Sequence, residues 1–265
     1  MDRIATTFEL LKAEGQKGFI PFVSAGDPDL DTSKQIVLML AQAGADIIEL
    51  GAPFSDPMAD GPTIQASSQR ALENGVTLND VLTMVRGLRS ETDVPLVLFS
   101  YLNPLFRYGI ERLAEDAASA GVDGVLVTDA VDDEAAEIGQ HLRRNGIDLI
   151  SLVAPTTSDA RLEKIAANAS GFVYAVSRAG VTGAQNETSG AAEILVNRAR
   201  RFTDLPIAVG FGISTPEQIE DVWRYADAAV VGSAIVAEIE SAVLSGKDPV
   251  ESVQRFAKGL VPASW

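Results

Sequence analysis

Glu49 stands inside an apolar run, Ile47-Ile48-Glu49-Leu50-Gly51. A carboxylate is costly to bury there, and desolvation lifts its pKa toward values useful for moving protons. If the run is a strand, alternation puts Glu49 on the same face as Ile47, the interior of any closed sheet. The bland alternative is a structural ion pair, but no lysine or arginine lies in the flanking apolar runs. The next segment, Ala52-Pro53-Phe54-Ser55-Asp56-Pro57-Met58-Ala59-Asp60-Gly61-Pro62, is dense in proline and carries two further acids. Asp60 reads equally as a second catalytic acid or as the N-cap of a helix beginning near Pro62.

Glycines recur where an anion could be held. Gly210-Phe211-Gly212-Ile213-Ser214 and Gly232-Ser233-Ala234 each follow an apolar run, and Arg178-Ala179-Gly180-Val181-Thr182-Gly183-Ala184 follows a third. Such turns bring backbone N–H groups close to a phosphate without needing a lysine, and the third reads also as a mobile lid.

Other chemistries are excluded by counting. The lysines are Lys12, Lys17, Lys34, Lys164, Lys247 and Lys258, and none ends an apolar run, which argues against a Schiff base. The single histidine, His141, lies in a polar stretch that reads as a helix surface, so a histidine metal site and a Ser-His-Asp triad are both disfavoured. There is no cysteine, hence no disulfide and no thiolate ligand. What remains is proton transfer by carboxylates on a phosphorylated substrate that carries its own electron sink.

Positioning these groups falls to an alternation of short apolar runs and longer amphipathic ones. Strands are expected over 18–24, 46–51, 95–101, 124–129, 148–153, 171–177, 206–210 and 228–232. Helices are expected over 31–43, 77–88, 110–120, 159–168, 191–202 and 216–225, with extra ones over 1–14 and 249–260. Near-continuous apolar strands alternating with helices predict an α/β fold: a single (β/α)8 TIM barrel with an extra N-terminal helix, one domain over 1–265. A doubly wound sheet is the weaker alternative, since no G-x-G-x-x-G follows the first strand. Ala43-Gly44-Ala45-Asp46, Ala120-Gly121-Val122-Asp123 and Tyr225-Ala226-Asp227 recur before strands two, four and eight. In such a barrel the chemistry sits at the C-terminal strand ends, where Glu49, Gly212 and Gly232 all fall. The net charge of −16 repels nucleic acid and anionic lipid, and no apolar stretch is long enough to span a membrane, so a cytoplasmic protein is expected.

The run from Glu49 to Gln65 resembles, nearly residue for residue, the signature of tryptophan synthase α subunits. The likeness continues through 18–28, Tyr101-Leu102-Asn103-Pro104, Ser177-Arg178-Ala179-Gly180-Val181-Thr182-Gly183 and Gly210-Phe211-Gly212-Ile213-Ser214. It implies retro-aldol cleavage of indole-3-glycerol phosphate to indole and glyceraldehyde 3-phosphate, with Glu49 and Asp60 catalytic. It also implies Phe22, Tyr101, Tyr174 and Thr182 at the substrate, and Gly183, Gly212, Ile213, Gly232 and Ser233 at its phosphate. No cofactor or metal is expected on this chain. The implied partner is a β subunit carrying pyridoxal phosphate, in an α2β2 heterotetramer, met by Asp56, Pro57, Asn103 and Pro104. A stand-alone lyase is the alternative. The loop after strand four lacks the proline usual in the family, and Ala52 replaces a commoner larger aliphatic residue.

Overall fold

The computed structural model describes residues 2–176, 188–210 and 212–262. Eight parallel strands close into a barrel in chain order: β1 (Gly18–Ser24), β2 (Ile48–Gly51), β3 (Leu96–Ser100), β4 (Gly124–Val127), β5 (Asp148–Val153), β6 (Val173–Val176), β7 (Ile207–Gly210) and β8 (Ala228–Val231). Five of the strands, β1, β2, β4, β7 and β8, are buried along their whole length, as expected where side chains fill the barrel and helices cover it.

Around them run α2 (Leu30–Gln42), α3 (Pro62–Glu73), α4 (Leu78–Leu88), α5 (Leu102–Tyr108), α6 (Ile110–Ala120), α7 (Asp132–Arg144), α8 (Asp159–Asn168), α9 (Thr188–Ala199), α10 (Pro216–Trp223), α11 (Ser233–Leu244) and α12 (Pro249–Leu260). The expected extra helices are α1 (Arg3–Glu14) and α12. His141 lies in the last turn of α7, half-buried. Among the described residues no helix is long and apolar enough to cross a membrane.

Alternation along the strands divides the core in two. Ile20, Ile47, Val97, Leu126, Ile150, Phe172, Ala208 and Val230 fill the barrel, while Phe19, Val23, Ile48, Leu50 and Leu98 point outward against the helices. Ile4, Phe8 and Leu11 of α1 join the inner group, and the Phe8 and Phe172 rings lie 5.8 Å apart. Helix α1 is therefore a plug at the N-terminal end, leaving the other end as the mouth.

The recurring aspartates have a structural job. Asp46 Oδ2 accepts from the Phe19 N–H at 2.7 Å, and the Asp46 N–H donates to the Phe19 carbonyl at 3.0 Å. Asp123 makes the same pair of bonds to Leu96 (2.8 and 3.0 Å), and Asp227 to Ile207 (2.8 and 2.9 Å). Asp123 and Asp227 satisfy the first N–H of β3 and β7 and Asp46 the second of β1, donors at the plugged end that need a partner. This clamp also corrects a boundary: the expected strand over 46–51 pairs only from Ile48, because Asp46 is occupied by Phe19. At the opposite end, Tyr101 is not part of β3 but the residue capping α5, a short helix absent from the expected elements.

Candidate active site

Glu49 faces inward at the mouth. The register sets it between Phe22 of β1 and Val97 of β3, one layer above Ile47. It is 1% exposed, and neither carboxylate oxygen has a hydrogen-bond partner; no other buried side-chain oxygen or nitrogen among the described residues is left in that state. Burial alone raises its pKa to about 8. The carboxyl is thus held protonated at neutral pH in a dry setting, and the structural ion-pair reading falls away.

Asp60 is half-buried in the loop after β2, and burial raises its pKa to about 6, the Tyr101 hydroxyl offsetting part of the rise. The capping reading of Asp60 is overturned at the start of α3. Its N-cap is Gly61, no side chain closes it, and Pro62 occupies its first turn. Three contacts pin the loop: the Phe54 N–H donates to Ser68 Oγ at 2.9 Å, Gln65 Nε2 to the Asp60 carbonyl at 2.9 Å, and the Ala59 N–H to the Tyr101 hydroxyl at 3.0 Å.

A cleft at this mouth is lined by Phe22, Ala52, Asp60, Ile64, Phe99 and Tyr101, with Ser24, Ser68 and Ser100 as polar accents. Phe22 and Phe99 meet edge to face at 5.3 Å. Phe22 and Tyr101 were expected here; Phe99 was not, although the period of two from Val97 in β3 marks it as inward-facing. Tyr174, from β6, is wholly buried, and its phenol is raised far above 10 by burial, then by Glu49 and Asp60 together. Gly210, the last residue of β7, leaves no room for a side chain: a Cβ there would sit 2.0 Å from the Tyr174 hydroxyl.

Across the mouth, Gly212 has φ +79 and open space about it, and Ile213 is buried beside it. The two helices after β7 and β8 begin differently. Thr215 and Gln218 form a capping box that closes α10, and Gln218 Oε1 also takes the Ser214 N–H. Helix α11 starts at Ser233 after Gly232 with no side-chain cap. Of these two helices, α11 alone leaves its first N–H groups without a side-chain cap, the kind of positive helix end that can hold a phosphate. Thr182, Gly183 and the rest of the expected lid lie outside the described residues.

Asp56 is exposed and its Oδ2 accepts from the Ser55 hydroxyl at 2.5 Å; Pro57 is half-buried. Asn103 is exposed and Pro104 half-buried on α5. The loops after β2 and β4 and helix α5 also expose Met58 (85%), Val131 (44%) and Phe106 (52%).

A closed eight-stranded parallel barrel with a buried, unbonded glutamate and a half-buried aspartate at one end has the architecture of the barrel class of enzymes. Residues 8–263 match the family model described as tryptophan synthase alpha chain. The chain is 50% identical to the tryptophan synthase alpha chain of Citrifermentans bemidjiense over 98% of its own length and 97% of the relative's. It is also 50% identical to that of Acidiphilium cryptum, over 96% and 93% of the two chains. The solved alpha subunit from Legionella pneumophila superposes with a TM-score of 0.91 at 36% identity, covering 98% and 97% of the two chains. A chain of tryptophan synthase from M. tuberculosis in its aminoacrylate-bound form gives 0.87 at 32%, covering 98% of each. The chain belongs to the tryptophan synthase alpha chain family, whose reaction is the cleavage of indole-3-glycerol phosphate.

Proposed function

We propose that this chain cleaves indole-3-glycerol phosphate through Glu49 and Asp60, and passes indole to a pyridoxal-phosphate-bearing β subunit in an α2β2 assembly in the cytoplasm. The observation that carries the reading is the unbonded, protonated Glu49 carboxyl at the mouth of the barrel. Glu49 gives its proton to C3 of the indole, which leaves a positive charge on the ring nitrogen. Asp60, ionised above about 6, stabilises that charge in a low-dielectric cleft. The Glu49 carboxylate then takes the proton of the adjacent glycerol hydroxyl. The carbon–carbon bond breaks, its electron pair returns to the ring, and the hydroxyl carbon becomes the aldehyde. Glu49 ends protonated, so the cycle balances without metal or Schiff base.

Phe22, Phe99 and Tyr174 frame the indole in this reading, with Tyr101 lining the cleft beside Asp60, and Gly212, Ile213, Gly232 and Ser233, with Thr182 and Gly183 of the lid, hold the phosphate end. Asp56, Pro57, Asn103 and Pro104 meet the β subunit; the exposed Met58 and Phe106 near them support a docking surface there.

Indole release from indole-3-glycerol phosphate, followed across pH with and without a β subunit, tests the proposal. Cleavage should fall below about pH 6, where Asp60 loses its charge, and above about pH 8, where Glu49 loses its proton. The β subunit should raise the rate. No indole under either condition sinks the proposal, and equal full turnover by the isolated chain favours a stand-alone lyase.

A further inference from the structure

Tyr101 lines the cleft, yet its hydroxyl is committed to the protein. It accepts the Ala59 N–H at 3.0 Å and lies beside the Asp60 carboxylate, toward which its own proton is free to point. Its ring packs on Phe54, from the same loop, with centroids 5.3 Å apart, and the residue is 5% exposed. A phenol has one proton to donate, and the N–H from Ala59 takes one of its lone pairs. Little hydrogen-bonding capacity is left for a ligand. Tyr101 is also fixed from the other side: it caps α5, and the next N–H, of Leu102, donates to Asp129 Oδ1 at 2.7 Å.

We propose that Tyr101 is a positioning residue rather than a substrate-binding one: its hydroxyl pins the Ala59–Asp60 turn against the end of β3 and so fixes the Asp60 carboxylate over the cleft. The inference rests on the reading of Asp60 given above. The titratable and charged groups facing this hydroxyl are Asp60 from the loop and Asp129 from the segment after β4. Tyr174 on β6 faces Asp60 in turn. Both aspartates disfavour ionisation of the phenol, so it remains a donor through the working range. Because α5 also carries Asn103 and Pro104, a protein docking on α5 would press on the residue that holds Asp60.

Tyr101→Phe keeps the ring stack and removes only the hydroxyl. The carboxylate loses a donor, so the Asp60 pKa rises above about 6. The expected result is a fall in kcat for cleavage of about tenfold, with KM changed less than about twofold and the acid limb of the kcat–pH profile moved to higher pH. In the substrate-free chain, carbon NMR of the labelled Asp60 carboxyl should show the same upward move. A rise in KM with kcat and the acid limb unmoved overturns the proposal and returns Tyr101 to the substrate wall. If Asp60→Asn leaves cleavage intact, the proposed role of Asp60 fails separately, while the NMR titration still decides whether Tyr101 holds the turn.

Discussion

At the plugged end of the barrel, Asp123 takes the Leu96 N–H, the guanidinium of Arg3 at 3.0 Å and that of Arg89; at the open end, Glu49 is buried as deeply and bonds to nothing. Asp227 repeats the first pattern, with Arg200 at 2.9 Å and Lys17 at 3.6 Å. Asp46 stands between the two cases. It makes the backbone clamp but, among the described residues, no ion pair, and burial raises its pKa to about 7. Two of the three carboxylates that hold strands together are given cationic partners as well. Glu49 is deprived of any partner, and its burial is sustained by the rest of the barrel.

The sharpest way to break this contrast is Glu49→Gln, which preserves shape and removes the exchangeable proton. Indole release should drop about a thousandfold, while the β subunit's own reaction of indole with serine is largely preserved. A residual rate near wild type would place the acid elsewhere. The counterpart at the plugged end is Asp123→Asn. It strips charge from a carboxylate 7% exposed and leaves Arg89, itself 11% exposed, without its anion. Denaturant unfolding should record a loss of about 3 kcal/mol, with kcat of the folded protein retained.

A smaller effect runs in the opposite direction. The folded pKa of Glu49, about 8, lies above its ordinary value of 4.5. As pH rises through that interval, the unfolded chain releases this proton and the folded one does not, so folding is progressively disfavoured. Glutamine has no such proton. Glu49→Gln should therefore be more stable than wild type at pH 8, with the advantage shrinking as the pH is lowered toward 5. Thermal melts at the two pH values measure the difference. A gain equal at both would mean that packing, not the buried proton, sets it.

Much of this is legible in the chain. The apolar strand set and the Asp46, Asp123 and Asp227 repeat follow from local pattern, and so does the barrel. Glu49 is legible because a lone acid in an apolar strand, with no basic residue in the flanking strands, is too costly to bury for packing alone. Asp60 is not decided there: capping and catalysis use the same residue type before the same helix, and only the placement of Gly61 as cap separates them. Phe99 lies within reach of the period-two rule, but an aromatic ring in a strand carries no chemical signal that sets it apart from ordinary core. The role of Tyr101 cannot be read, since Ala59 lies far from it in sequence and meets it only through the loop's return to the end of β3.

The sequence by itself determined the kind of barrel and which strand carries its acid, because burial of alternating apolar residues is a local property of each segment. The closed fold alone shows that this acid has no partner, that α1 stops one end, and that of the helices after β7 and β8 it is α11, not α10, whose start lacks a side-chain cap. Hydrogen bonds between distant segments and the loss of water around a carboxylate exist only once the strands have closed on one another.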